Sequence, residues 1–448
     1  MAVTLSLLSL SLFSSIHQAQ AVALPPKNPA QRQALHLSSF PVSAFRAPSA
    51  DVFTDKFLPL NKQSSTLSTS STLEAIRRGI STSDLHKFSK RQTASGTAPL
   101  TSLSGVEYLV DITFGTQTVK VILDTGSSDT WLIQKGFKCT DANGNSQSAA
   151  TCNFGPVYTG TITQTPNQNF KISYGDGEFV TGIIGTQNVT VAGIKVPKQT
   201  VALGTSAYWN GNGMSSGLLG LAYPAITSAY SGTDPTKDKA STRIQYDPIF
   251  TTMYKQKLSN PTFSLAIQRD GSSVGGYIAF GGLPAAVTTN GSFASTPIQV
   301  LTAQGGTADT FYTITPDAIV YTGAAAKNSA QYIVDSGTSL TYLPTAVVKS
   351  VAALFSPQAT FDSSQGVYFV TCTATAPNFG VKIGGTTFTV SPKDLILKGQ
   401  KDPSTGKCVL GITDGGTGPY ILGDTFLSNV VAVFDVGAAQ MRFAAHSY

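Results

Sequence analysis

The chain has 448 residues, of which 12% are charged, about half of the ~25% usual for globular proteins. Residues 1–91 hold ten basic and four acidic side chains, so the +6 of the whole chain resides there and residues 92–448 carry 20 charges of each sign. That balance excludes a basic face for nucleic acid. The four histidines, His17, His36, His86 and His446, lie in the leader or third from the C-terminal end, which excludes an imidazole-based hydrolase or a histidine zinc centre.

Residues 5–16 form a short apolar run, and Ala19-Gln20-Ala21 places small residues where a signal peptidase reads. The run is too short to span a bilayer, so residues 1–21 read as a secretory signal peptide. Residues 22–91 are basic and rich in Pro, Ser and Thr, and they end at Lys90-Arg91 before the polar Gln92-Thr93-Ala94-Ser95-Gly96. This pattern predicts a propeptide with a dibasic processing site, with Arg77-Arg78 as a second candidate. A secreted, extracellular zymogen is the expectation. Cys139, Cys152, Cys372 and Cys408 all follow that site. Three pairings are open, and sequence proximity favours Cys139–Cys152 and Cys372–Cys408. Sequons at Asn188 and Asn290 fit a glycosylated surface. The chain ends without a long apolar tail, so no membrane anchor is expected.

From Gly96 onward, short runs rich in Val, Ile, Thr, Tyr and Phe alternate with Gly, Asn and Asp turns. Strands are expected at residues 107–114, 119–123, 170–174, 189–191, 262–267, 277–280 and 430–434. Helices are expected at residues 247–258, with Asp247 as N-cap, and at residues 345–355. The fold class is therefore all-β with few short helices.

An internal repeat organises this region. Ile122-Leu123-Asp124-Thr125-Gly126-Ser127-Ser128 recurs as Ile333-Val334-Asp335-Ser336-Gly337-Thr338-Ser339. The Gly of Leu218-Leu219-Gly220 lies 96 residues after Asp124, and the Gly of Ile421-Leu422-Gly423 lies 88 residues after Asp335. Each half thus carries an apolar strand, an acidic loop and an apolar strand closed by Gly. If the halves pack about a pseudo-two-fold axis, Asp124 and Asp335 meet. Two adjacent carboxyls share a proton and split their pKa values. One can then deprotonate a water while the other protonates a carbonyl, which is amide hydrolysis without histidine, metal or covalent intermediate.

These motifs resemble those of the pepsin-like aspartic endopeptidases of fungal type, over the chain from about Glu107 to its end. Asp124-Thr125-Gly126-Ser127-Ser128 with Trp131 looks like the first active-site motif. Asp335-Ser336-Gly337-Thr338-Ser339 looks like the second, with Ser336 where Thr is commoner. The resemblance implies a bilobal fold, with lobes at residues 92–270 and 271–448, and strands at Gly220 and Gly423 that thread behind the acidic loops. It implies Asp124 and Asp335 as catalytic, with Thr125, Gly126, Ser127, Ser336, Gly337 and Thr338 in support. It also implies a flap at residues 171–177 carrying Tyr174, Gly175 and Asp176, with Trp131 bonded to Tyr174. Trp209 and Leu218 are expected as apolar walls of the specificity pocket, and Asp176 as the partner of a substrate Lys. Phe57-Leu58-Pro59-Leu60 resembles the strand by which such prosegments join the mature sheet.

No cofactor or metal is implied. The partners expected are protein or peptide substrates and the chain's own propeptide as inhibitor, with no nucleic acid, no membrane anchor and a monomeric enzyme. The family pattern is departed from at the long Cys139–Cys152 loop and at residues 225–245, an insertion rich in Ser, Thr, Lys and Asp that reads as a solvated surface loop. The competing readings are a pepsin-fold protein that binds without cleaving, disfavoured by the presence of both Asp residues and the flap Tyr, and a two-carboxylate glycosidase.

Overall fold

The computed structural model describes residues 53–54, 56–63, 107–175, 177–268, 275–302 and 306–447. The signal peptide, both dibasic pairs and Asp176 lie outside the described residues. The fold is all-β. Among the described residues, fifteen strands form one sheet, joined by smaller sheets of five, four, four and two strands.

Burial follows the period of two that strands impose. In Thr163–Ser173, Phe170 and Ile172 are buried while Lys171 and Ser173 are half-buried, so Tyr174 falls on the inner face. Thr262–Ile267 is buried throughout because it lies between Gly276–Phe280 and Val430–Asp435. There Phe263 stacks on Phe434 with ring centroids 4.3 Å apart. Every expected strand is present, several of them longer than the local pattern suggested.

The sequence repeat is a repeat of topology. Gln117–Asp124 runs parallel to Gly217–Gly220, with Asp124 opposite Gly220. Tyr332–Val334 runs parallel to Tyr420–Leu422 in the same way. Each threading strand then pairs antiparallel with a third strand, Thr130–Cys139 in one half and Thr341–Leu343 in the other. The glycines are steric necessities. A Cβ on Gly220 would lie 2.6 Å from the Asp129 backbone nitrogen, and one on Gly423 would lie 2.2 Å from the Thr338 carbonyl oxygen.

The strand Phe57–Gln63, which falls in the expected propeptide, pairs antiparallel with Glu107–Phe114 on one side and Gly276–Phe280 on the other. It links strands of the two halves into one sheet. Leu60 is buried there, and Phe57 meets Tyr277 edge-on at 5.6 Å.

Both favoured disulfides are present, Cys139–Cys152 and Cys372–Cys408. Asn188 is exposed in the strand Phe179–Val191; Asn290 lies in Thr289–Pro297, and its side chain falls outside the described residues. Two expectations are corrected. The first helix spans Ile249–Lys255 with Pro248, not Asp247, at its N-cap. The chain is still extended at Pro248, with ψ at 163°, and the Asp247 carboxylate instead accepts from Lys255 Nζ at 2.6 Å. Residues 225–245 are not a solvated loop throughout. Thr227, Ser228, Ala229 and Tyr230 are buried, and Ala229–Ser231 and Arg243–Ile244 are strands of the large sheet.

Candidate active site

Asp124 ends one parallel strand and Asp335 follows its counterpart, so both carboxyls leave the sheet at equivalent points. Both are buried, at 1% and 0% exposure. Each is held by the same two donors. Asp124 Oδ1 accepts from the Gly126 N–H at 2.7 Å and Oδ2 from Ser127 Oγ at 2.5 Å. Asp335 Oδ1 accepts from the Gly337 N–H at 2.8 Å and Oδ2 from Thr338 Oγ1 at 2.6 Å. The Asp-x-Gly-[Ser/Thr] spacing thus supplies a backbone and a hydroxyl donor to each carboxyl within a single turn.

The two loops also grip each other. The Thr125 N–H donates to Ser336 Oγ at 3.2 Å, and the Ser336 N–H donates to Thr125 Oγ1 at 3.0 Å. Each hydroxyl passes its own proton onward, Thr125 Oγ1 to the Val334 carbonyl and Ser336 Oγ to the Leu123 carbonyl, both at 3.1 Å. These bonds bring the two strand ends into register and set the carboxyls close enough that the charge of Asp335 acts on Asp124.

Burial first, and then the charge of Asp335, hold the Asp124 carboxyl well above the usual carboxylate range. Burial pushes Asp335 up to about 6, against hydrogen bonds from Thr338 and Gly337 that pull it down. A carboxyl pair in mutual contact carries one proton between its members. Such a pair offers a base for water and an acid for a carbonyl oxygen in the same site.

The aromatic residues expected around the site also converge. Trp131 Nε1 donates to Tyr174 Oη at 2.9 Å. Trp209 meets Trp131 at 5.2 Å and Tyr174 at 5.7 Å, both near-perpendicular, and stacks on Phe154 at 5.6 Å. The turn expected as a flap is closed by the Gly177 N–H on the Tyr174 carbonyl and the Tyr174 N–H on the Glu178 carbonyl, with Gly177 at φ +94°. Gly175 is exposed at this turn. Leu218 sits in the threading strand opposite Trp131, in the core cluster that includes Trp209 and Tyr174.

Two buried carboxylates beside the site were not singled out from the sequence. Asp129 accepts from the Ser228 N–H at 2.8 Å and from Tyr246 Oη at 2.5 Å. Glu178 accepts from the Asn210 N–H at 2.6 Å, tying the end of that turn to the chain beside Trp209. For Asp129 a signal was present: it stands between Asp124 and Trp131, within the first acidic motif. Glu178 gives none, because its partner is 32 residues away.

The family model for eukaryotic aspartyl proteases matches residues 107–446. The chain is 45% identical over 368 residues to a probable aspartic-type endopeptidase of Aspergillus fumigatus, covering 79% of this chain and 82% of that protein. It is 31% identical over 356 residues to Rhizopuspepsin-4 of Rhizopus niveus, covering 78% and 80%. The crystal structure of the aspartic proteinase from Irpex lacteus shares the fold, with a TM-score of 0.58 at 21% identity, over 76% of this chain and 95% of that one. With its duplicated strand-loop-strand halves and a family match across the whole region that builds them, the chain belongs to the pepsin-like eukaryotic aspartyl proteases and is an aspartic-type endopeptidase.

Proposed function

We propose that the protein is a secreted endopeptidase, made as a zymogen, that hydrolyses peptide bonds at acidic pH through a water activated by Asp124 and Asp335. The observation that carries this reading is the pair of buried carboxyls on two loops that grip each other, with matched donors on each member. The ionised member takes a proton from water as the water oxygen bonds to the scissile carbonyl carbon. The protonated member gives its proton to the carbonyl oxygen. As the tetrahedral diol collapses, one diol hydroxyl gives its proton to the ionised member, the C=O reforms, the C–N bond breaks, and the leaving amine takes a proton from the other member, which restores the one-proton pair. Thr125, Gly126, Ser127, Ser336, Gly337 and Thr338 orient the carboxyls, so no metal or cofactor is needed.

Tyr174 and Gly175 close over substrate as a flap, with Tyr174 held by Trp131. Trp209, Leu218 and Tyr174 favour large apolar residues beside the scissile bond. Asp176 at the flap tip accepts a substrate Lys, whose stem packs on the apolar wall while its ammonium meets the carboxylate. Asp176→Ser is therefore expected to lower kcat/KM on a Lys-containing peptide by roughly tenfold while a Phe-containing peptide stays within about threefold; equal losses remove the charge-recognition role. Residues 22–91 act as the inhibitor, seated by the strand Phe57–Gln63, and the mature enzyme works as a monomer with lobes at residues 92–270 and 271–448.

The test is Asp124→Asn and Asp335→Asn, each purified and processed. Both are expected to keep their circular dichroism and lose turnover of a soluble peptide at acid pH. Retention of more than roughly a few per cent of activity by either variant defeats the dyad assignment.

A further inference from the structure

Residues 225–246 follow the threading strand Gly217–Gly220 and fold back along the outer edge of the flap. Ala229–Ser231 pairs antiparallel with Thr163–Ser173, the strand that leads into Tyr174, with Ala229 opposite Phe170 and Ser231 opposite Gln168. Arg243–Ile244 pairs in turn with Ala229–Ser231. Further bonds reinforce this seam. The Lys171 N–H donates to the Ser228 carbonyl at 3.2 Å, and Lys171 Nζ donates to the Pro235 carbonyl at 3.0 Å. Asn169 Nδ2 donates to the Gly232 carbonyl at 3.2 Å and to Asp238 Oδ1 at 3.0 Å.

Both ends of the segment converge on one atom. Asp129 Oδ1 accepts from the Ser228 N–H at the near end and from Tyr246 Oη at the far end. Asp129 lies five residues past Asp124 and two before Trp131, the residue that holds Tyr174 Oη. The Tyr246 ring packs against the cluster containing Trp131 and Tyr174. Burial, the Asp129 carboxyl and the Tyr174 phenol together push the Tyr246 phenol well above its ordinary range, so it stays a neutral donor.

We propose that residues 225–246 are a brace that limits the flap's opening, and that Asp129 and Tyr246 are positioning residues that fasten this brace to the strand leaving the catalytic loop. The proposal rests on the reading of Tyr174 as the flap tyrosine. A flap hairpin with a free outer edge must be ordered by the substrate, at the expense of binding energy. A hairpin whose outer strand is already paired needs less ordering. The device therefore acts on substrate affinity more than on the chemical step.

The test compares wild type with Tyr246→Phe, which removes the hydroxyl and keeps the ring. Amides of residues 168–175 are expected to exchange hydrogen about tenfold faster, the ratio for losing one buried hydrogen bond, while those of Glu107–Phe114 keep their rates. KM for an eight-residue peptide is expected to rise about tenfold with kcat within about threefold. Lys171→Met, which cuts one tie and leaves the Asp129 bonds intact, is expected to give a smaller acceleration of about threefold confined to the same amides. Asp234→Ala, in the exposed turn of the segment and bonded only to Thr236 and Lys237, is expected to change neither reading. Flap exchange within about twofold of wild type in both Tyr246→Phe and Lys171→Met, or an equal acceleration over the whole chain, overturns the brace. Titration of each variant with a statine-type inhibitor keeps this separate from the proposed function. Stoichiometric titration with unchanged flap exchange defeats the brace alone, whereas a wild type that binds no inhibitor defeats the dyad reading.

Discussion

Replacing Ser336 by Ala tests the reciprocal grip between the two acidic loops. The change strands the Thr125 N–H in a buried site and removes one bond from the Leu123 carbonyl. A stranded buried donor costs about 1–3 kcal/mol and the lost bond about 1 more, so the expected destabilisation is about 2–4 kcal/mol. At an m value near 3 kcal/mol/M, that lowers the urea midpoint by about 1 M, read by tryptophan fluorescence at pH 5. Ser336→Thr keeps the hydroxyl and places at this position the residue its pseudo-symmetric mate Thr125 already uses, so it is expected to stay within about 1 kcal/mol of wild type. Thr125→Val removes the acceptor for the Ser336 N–H. Once one side of the grip is gone the loops separate, and the second loss costs less; the double variant should fall short of the sum of the singles by about 1 kcal/mol. A Ser336→Ala protein within about 0.5 kcal/mol of wild type, or full additivity in the double variant, refutes the argument that these bonds hold the carboxyls together.

Four further outcomes are expected. Because the pair must hold one proton and the charge of Asp335 keeps that proton on Asp124, kcat/KM should fall on the alkaline side once Asp124 ionises as well; a profile with no alkaline limb contradicts this. Stability should fall with rising pH between 3.8 and about 6, since the native pair retains protons that the unfolded chain has released, and urea midpoints across that window report the sign. Gly423→Ala forces a Cβ against the Thr338 carbonyl and should abolish inhibitor binding by displacing the Asp335 loop, as isothermal titration will record. A proenzyme with Lys90→Gln and Arg91→Gln should remain inactive on a soluble peptide at about pH 6, where its carboxylates are still ionised; activity equal to that of the processed enzyme removes the prosegment as inhibitor.

The alternation of apolar and polar residues marks a strand such as Glu107–Phe114 to its ends, because a half-buried strand records its pleat in its own residues. The repeat around Asp124 and Asp335 was legible for a related reason. The two loops require the same donors at the same offsets, and the glycines at 220 and 423 answer close backbone contacts that allow no Cβ. The close Cys pairs likewise announced their bonds. Tertiary structure decided the rest. The grip joins residues 211 apart, and a hydroxyl at Ser336 carries no mark of which amide it will accept. The raised carboxyls arise from burial and, at Asp124, also from the charge of Asp335, which act only once the halves meet. Residues 225–245 show how composition misleads: rich in Ser, Thr, Lys and Asp, they read as a solvated loop, yet Ala229–Ser231 and Arg243–Ile244 within them form strands because an open sheet edge stands beside them. A strand edge offers hydrogen bonds to any backbone that reaches it, whatever the side chains, so edge pairing is written in the fold and only faintly in the sequence.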